Sequence, residues 1–267
     1  MGLVVEPGVN AELEVEEEQD LKDPLRHLMD TEESIVTVPP SCHTHLLSFL
    51  PSQSNFLDEK GGTLKLSFSH HWDSIPHPLD LSLSVDASPG CGGIAWPAGQ
   101  ILATYLVHKG PTHLRNRNVL ELGSGTGLVG LVAGLFGNCK VWITDQSPLL
   151  PIMQRNVLLN DLNDNVVVAE LDWAQPIPST IPKPDVILAA DCVYFEPAFP
   201  LLVETLDRLS TKDTEILFCY KKRRKADKRF FSMLKKKFNW KEVDDDPNRA
   251  SYNREAITLM RLYKVKD

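Results

Sequence analysis

The run Val119-Leu120-Glu121-Leu122-Gly123-Ser124-Gly125-Thr126-Gly127 constrains this chain more than any other segment. A short, mostly apolar strand leads straight into three alternating glycines, and an apolar helical stretch follows to residue 136. A buried strand that turns at once into a helix needs such glycines. They adopt left-handed backbone without strain and let a ligand approach the main chain closely. In doubly wound folds this turn lies at the carboxyl edge of a parallel sheet, where ligands bind.

The flanking pattern agrees with that architecture. Helical stretches are expected at 97–108, with Pro97 in the first turn, and at 126–136, 148–160, 200–209 and 225–238. Short apolar strands are expected at 119–122, 141–144, 166–171, 186–190, 215–220 and 256–263. The strands are continuous apolar runs, as expected of strands covered on both faces. The succession predicts an α/β fold, a Rossmann-like doubly wound sheet that is mostly parallel. Upstream, Leu64, Leu66 and Phe68 alternate, as do Leu79, Leu81, Leu83 and Val85. These predict a small β hairpin addition at about 61–90.

Residues 1–60 read as a separate acidic, largely disordered tail, with a short helix at 23–29, leaving 61–267 as the main domain. Residues 1–34 hold eleven acids against two bases, a net of −9 out of −8 for the whole chain, so the remainder stands at about +1. A chain without a large cationic excess is not built to coat nucleic acid. Cys42, Cys91, Cys139, Cys192 and Cys219 fit neither a disulfide framework nor a zinc ligand pair. Reduced thiols, and so a cytoplasmic or nuclear location, are expected. No basic, apolar leader and no membrane-length apolar run is present.

Two ligand classes use a strand–glycine turn–helix unit. Gly125, Gly127 and Gly130 match the dinucleotide pattern G-x-G-x-x-G, which keeps NAD open. Counted from Gly123, the run is instead an acid, Glu121, followed by Gly-x-Gly-x-Gly. A pyrophosphate prefers an uncluttered helix N-terminus, whereas a carboxylate at the turn suits a cationic ligand. Asp145, 22 residues past Gly123 at the end of the next strand, is at the distance of an acid that accepts ribose hydroxyls, a feature both ligands share. Asp172 can accept from an exocyclic amine, and Trp173 can pack on an adenine. Asp191 and Tyr194 follow the fourth strand, at the sheet edge that faces both cofactor and acceptor. A hydride-transfer element such as Tyr-x-x-x-Lys does not follow the glycine turn.

Taken in order, Glu121-Leu-Gly-Ser-Gly-Thr-Gly127, Leu171-Asp-Trp173 and Asp191-Cys-Val-Tyr194 with Glu196-Pro197 resemble the seven-β-strand protein-lysine methyltransferases of the methyltransferase family 16 group. The upstream Gly92-Gly-Ile-Ala-Trp-Pro97 is similar to that family's Trp-Pro segment. The resemblance spans roughly 61–267 and implies a seven-stranded sheet and S-adenosyl-L-methionine as cofactor. It implies that Trp96 lines the cofactor pocket and that Gly123, Ser124, Gly125 and Gly127 form the cofactor turn with Glu121. Asp145 would take the ribose hydroxyls, Asp172 and Trp173 would lie by the adenine, and the Ala190 backbone would close the pocket. Asp191 and Tyr194 would serve the acceptor lysine. The pattern resembles in particular the fungal members that methylate translation elongation factor 1-alpha, which implies that protein as substrate. An Asn-Pro-Pro-Tyr element, typical of enzymes acting on amide or nucleobase nitrogens, is absent.

The run Lys221-Lys222-Arg223-Arg224-Lys225, followed by Lys228 and Arg229, reads as the solvated start of a helix. Nuclear import, RNA binding, or recognition of acidic groups around a target lysine are the functional alternatives. No aromatic residues interleave it for stacking on bases. No membrane, metal or nucleic-acid partner is expected, and nothing requires more than a monomer. An RNA or small-molecule methyl acceptor is the remaining alternative substrate class.

Overall fold

A computed structural model describes Gln19 and residues 50–58, 61–72, 77–86, 91–225 and 227–266. Apart from Gln19, residues 1–49 of the expected acidic tail, with the helix expected at 23–29, lie outside the described residues.

The main sheet has seven strands in the order β6-β5-β4-β7-β8-β10-β9. They are β4 (Asn118–Leu122), β5 (Lys140–Asp145), β6 (Val166–Glu170), β7 (Val186–Ala190), β8 (Glu215–Lys221), β9 (Phe238–Glu242) and β10 (Ile257–Lys264). The strands from β6 through β8 run parallel, while β10 is antiparallel to both β8 and β9. Residues alternate between two cores. Val119 of β4 and Val186 and Leu188 of β7 face one core, and Leu120, Leu122, Ile187 and Ala189 face the other. Both faces being covered explains why the strands show continuous apolar runs. The first core is closed by α1 (Pro97–Lys109), α2 (Leu128–Leu135), α3 (Leu150–Leu159) and α6 (Arg249–Arg254). The second is closed by α4 (Phe199–Leu209) and α5 (Asp227–Leu234), through Phe199, Leu202, Leu206, Phe230 and Leu234.

Strand β9 corrects the sequence reading, which carried a helix through residue 238. The helix stops at Leu234 and Phe238 starts an edge strand. Three lysines at 235–237 give this stretch a helix-like composition. Pairing of β9 with β10, from Phe238–Lys264 to Glu242–Met260, outweighs local propensity.

The β addition has three strands instead of two. β1 (Ser52–Asp58) pairs antiparallel with β2 (Gly61–Phe68), which pairs with β3 (Leu79–Val85). The paired chain therefore starts at Ser52, inside the segment assigned to the tail. Leu64, Leu66, Phe68, Leu79, Leu81 and Leu83 are buried, as their alternation predicts.

The outer edge of β3 meets two asparagine amides, Asn156 within α3 and Asn160 capping its C-terminus. Asn156 Oδ1 accepts the Ser84 N–H at 2.6 Å, and Asn156 Nδ2 donates to the Ser84 carbonyl at 3.0 Å. Asn160 does the same to Ser82, at 2.8 and 2.7 Å. Four helical residues rise about 6 Å and two strand residues about 6.6 Å, so the two side chains match the strand's register. Asn156 Nδ2 also donates to the Thr126 carbonyl at 2.9 Å, tying the small sheet to the glycine turn.

The chain runs from β4 outward to β6 and then returns to β7 on the other side. This reversal leaves a crevice beyond the carboxyl ends of β4 and β7, the location at which open α/β sheets bind ligands.

Candidate functional site

A cavity of about 550 Å³ fills that crevice. Its wall is built from the carboxyl ends of four parallel strands and from the segment before α1. All the cofactor and acceptor residues that the resemblance implies line it except Gly127. Gly127 has φ 83 and precedes α2, and a Cβ there would meet Ile143 Cδ1 at 2.9 Å. Its role is the turn into the helix and close packing on β5.

The glycine turn follows β4 in left-handed backbone, with φ 57 at Gly123 and 56 at Gly125. A Cβ on Gly123 would press on Cys192 Sγ at 3.1 Å and Trp173 Cζ2 at 3.2 Å. A Cβ on Gly125 would lie 2.4 Å from the Gly92 carbonyl oxygen. The Gly92–Trp96 segment thus closes over the turn and reaches the cavity through Ile94, Ala95 and Trp96.

The hydrogen bonds of the turn discriminate between ligand classes. Ser124 N–H donates to the Thr144 carbonyl at 2.9 Å, Gly125 N–H to Asp145 Oδ2 at 2.8 Å, and Gly127 N–H to the Ser124 carbonyl at 2.7 Å. A pyrophosphate-binding turn aims such donors at the ligand; here they point into the protein. The Ser124 hydroxyl is also engaged, accepting from Thr144 N–H at 2.8 Å and donating to the Glu121 carbonyl at 3.2 Å. Glu121, Asp145, Asp172 and Asp191 all line the cavity. A wall of four carboxyl side chains, whose oxygens act as acceptors, with inward-turned amides suits a ligand that presents amine and sugar hydroxyl donors and opposes a diphosphate.

Each carboxylate is held by its neighbours. Glu121 is 3% exposed and accepts the Gly130 N–H of α2 at 2.9 Å. Burial pushes its carboxyl up to about 8, with the Gly130 N–H pulling the other way. A Cβ on Gly130 would meet Ile143 Cγ2 at 2.3 Å and Glu121 Oε2 at 2.8 Å, so that glycine serves helix–strand packing. Asp145 is also raised by burial, opposed by N–H donors from Gly125 and Gln146. Asp172 accepts the Ala174 N–H at 3.0 Å, which orients the turn that presents Trp173 to the cavity.

The edge of β7 holds the least expected feature. Asp191 has φ 58, a left-handed conformation that costs a non-glycine residue about 1–3 kcal/mol and tends to persist at functional sites. Its N–H extends the sheet ladder to the Cys219 carbonyl at 2.8 Å. Its carboxylate receives both Arg223 terminal nitrogens, Nη1 to Oδ1 and Nη2 to Oδ2, each at 2.7 Å. Lys221 N–H adds a third donor at 3.3 Å. The pair is buried, with the Arg223 and Asp191 side chains 7% and 4% exposed. The Arg223 guanidinium also lies 5.6 Å from the Trp96 ring centroid. Beyond it, Arg229 pairs with Glu196 at 2.8 Å, and Arg224 pairs with Asp227 at 3.3 Å.

The solvated-helix reading of the basic run therefore fails for Arg223 and Arg224, which are buried in ion pairs. Lys222, Lys225 and Lys228 remain exposed, as that reading expects. Arg223 was missed because its partner lies 32 residues away, and only the β7–β8 pairing brings them together. Tyr194 lines the cavity beside this pair. Cys192 donates its thiol to the Leu122 carbonyl at 3.3 Å, and burial raises its pKa, which leaves it a packing residue.

Comparison with known proteins agrees with this geometry. A family described as lysine methyltransferase matches residues 76–237. The Saccharomyces cerevisiae protein-lysine N-methyltransferase EFM6 is 39% identical over 201 residues, covering 66% of this chain and 82% of that protein. The Danio rerio protein N-lysine methyltransferase METTL21A is 39% identical over 173 residues, covering 63% and 78%. Among solved structures, the T. Thermophilus 16S rRNA N2 G1207 methyltransferase in complex with AdoMet and guanosine shares the fold. Its TM-score is 0.51 at 17% identity, over 75% of this chain and 50% of that one.

Proposed function

The chain belongs to the lysine methyltransferase family, and on that premise we propose that it methylates a lysine of translation elongation factor 1-alpha at the slot between Asp191 and Tyr194. It is an S-adenosylmethionine-dependent protein-lysine N-methyltransferase. The single observation that carries the site assignment is the glycine turn, whose amides face inward beside a wall of carboxyl side chains. The choice of elongation factor rests on the sequence resemblance. We assign the activity to a monomer in the cytoplasm. The described cysteines Cys139, Cys192 and Cys219 are free and buried, and among the described residues no helix is long and apolar enough to cross a membrane.

The residues present fit the cofactor. Gly123 and Gly125 hold the left-handed turn that lines the cavity, where a Cβ would collide with Trp173 and with the Gly92 carbonyl. Asp145 has its oxygens fixed by Gly125 and Gln146 N–H and would accept the ribose hydroxyls. Trp96, Ser124, Asp172 and Ala190 would complete the wall, with Glu121 at the end of β4 beneath the turn. When bound, S-adenosylmethionine supplies an electrophilic methyl group.

The chain's own task is to present a neutral amine in line with that group. A free lysine has a pKa of about 10.4, so only about one in a thousand is neutral near pH 7.4. Desolvation in the slot disfavours the ammonium. Asp191 orients the amine, and Tyr194 shapes the channel and offers its hydroxyl. Alignment supplies the remaining acceleration. The test is transfer of labelled methyl to purified elongation factor 1-alpha and to lysate protein, followed by mass spectrometry of the modified peptide. Methyl-lysine in the factor is expected. Label that resists protease would instead indicate an RNA or small-molecule acceptor.

A further inference from the structure

We propose that Arg223 is a positioning residue for methyl transfer: by neutralising Asp191 it lets the target amine shed its proton inside the slot. The inference rests on the lysine-acceptor reading above. An unpaired carboxylate beside a lysine ammonium would stabilise the charged form and hold the amine unreactive. Asp191 is not presented in that state. Both its oxygens already receive guanidinium N–H groups at 2.7 Å, and the fork geometry leaves the pair with no net charge. An incoming amine meets an oriented oxygen lone pair without a compensating full negative charge. The ammonium's proton then leaves to solvent more readily, and the nitrogen lone pair is free to attack.

The surroundings assign this duty to Arg223. The neighbouring arginines have acids of their own, Asp227 for Arg224 and Glu196 for Arg229. The Arg223 N–H donates to Asp227 at 3.0 Å, and its guanidinium lies by Trp96, so main chain and side chain are both fixed. From β8, Lys221 contributes its N–H to Asp191, and Cys219 is buried beneath it. From the β7 loop, Cys192 and Tyr194 face the same space. Across the cavity stand Glu121 and Asp145, the former predominantly protonated at neutral pH because burial raises it to about 8.

The experiment is the pH profile of methyl-lysine formation by the full chain with tritiated S-adenosylmethionine. The acceptor is purified elongation factor 1-alpha, or total lysate protein if that factor takes no label. Arg223→Gln is expected to lower the rate about tenfold near pH 7.5 and to move the profile's midpoint alkaline by roughly one unit or more, so that much of the loss is recovered at high pH. Arg223→Lys retains the charge and is expected to keep the wild-type midpoint with a reduced maximum. A Gln variant that loses activity equally at every pH, or loses none, overturns the proposal. If the Gln variant fails to fold, as judged by its affinity for S-adenosylhomocysteine, the Lys variant decides, and an alkaline midpoint there overturns it. A wild type that forms no methyl-lysine from either acceptor removes the lysine-acceptor reading first, and this inference with it.

Discussion

Gly125 donates its backbone N–H to the Asp145 carboxylate across 2.8 Å, so the middle glycine of the turn and the acid ending β5 form one hydrogen-bonded unit. Asp145→Ala removes the acceptor and frees the turn. We expect S-adenosylmethionine affinity to fall by at least about tenfold by calorimetry, with a stability loss of about 1–2 kcal/mol. Asp145→Asn, which keeps one oxygen acceptor, should fall between. Unchanged affinity in the alanine variant would remove Asp145 from the cofactor site.

Gly125→Ala probes the same turn sterically. Its Cβ would lie 2.4 Å from the Gly92 carbonyl, in a left-handed backbone that disfavours side chains. The Gly92–Trp96 segment must move away, and donor affinity should drop by about tenfold or more while most of the fold persists, at a cost of roughly 1–3 kcal/mol. Titration by tryptophan fluorescence would check it, since Trp96 and Trp173 both line the cavity.

Asp191→Ala should abolish turnover while leaving donor affinity within about tenfold, because the interaction it removes serves the acceptor. The variant also strands a buried guanidinium, at about 3–5 kcal/mol. Asp191→Asn is therefore the cleaner companion. Full methylation by either variant contradicts the acceptor role.

Glu121 makes stability depend on pH. Its folded pKa of about 8 lies above the ordinary 4.5, with burial the dominant cause. Between these values the unfolded chain releases the proton and the folded chain retains it. The stability contribution of Glu121 therefore falls as pH rises through that window. Glu121→Gln keeps an oxygen for the Gly130 N–H and lacks the titration. Its Tm advantage over the wild type, measured without donor, should widen from pH 5 to pH 8, by at least about 3 °C. A constant difference would show that Glu121 ionises normally.

Asn156→Leu tests the link between the small sheet and the turn. It strands the Ser84 N–H and carbonyl in a buried position and deletes the bond to Thr126. A loss of about 2–4 kcal/mol in denaturant unfolding is expected. A neutral result would mean the sheet docks through its leucines alone.

Much of this was legible along the chain. Leu64, Leu66, Phe68, Leu79, Leu81 and Leu83 declare a buried face by alternation, and the turn at 123–127 declares its conformation by glycines alone. Asp145, Asp172 and Asp191 could be placed in one site because each follows a parallel strand, and strand ends converge. Strand β9 was hidden, because five residues after a lysine run offer no local signal stronger than helix propensity.

The α/β alternation, the cofactor turn and the strand-end acids can be read along the chain, since they follow from short-range sterics and hydrophobic periodicity. Tertiary structure alone decided what those acids face. The Asp191–Arg223 pair and the Asn156–Ser84 bonds join residues 32 and 72 positions apart. Such contacts depend on which strands lie side by side, and a polar residue's role is set by the partner that burial forces upon it.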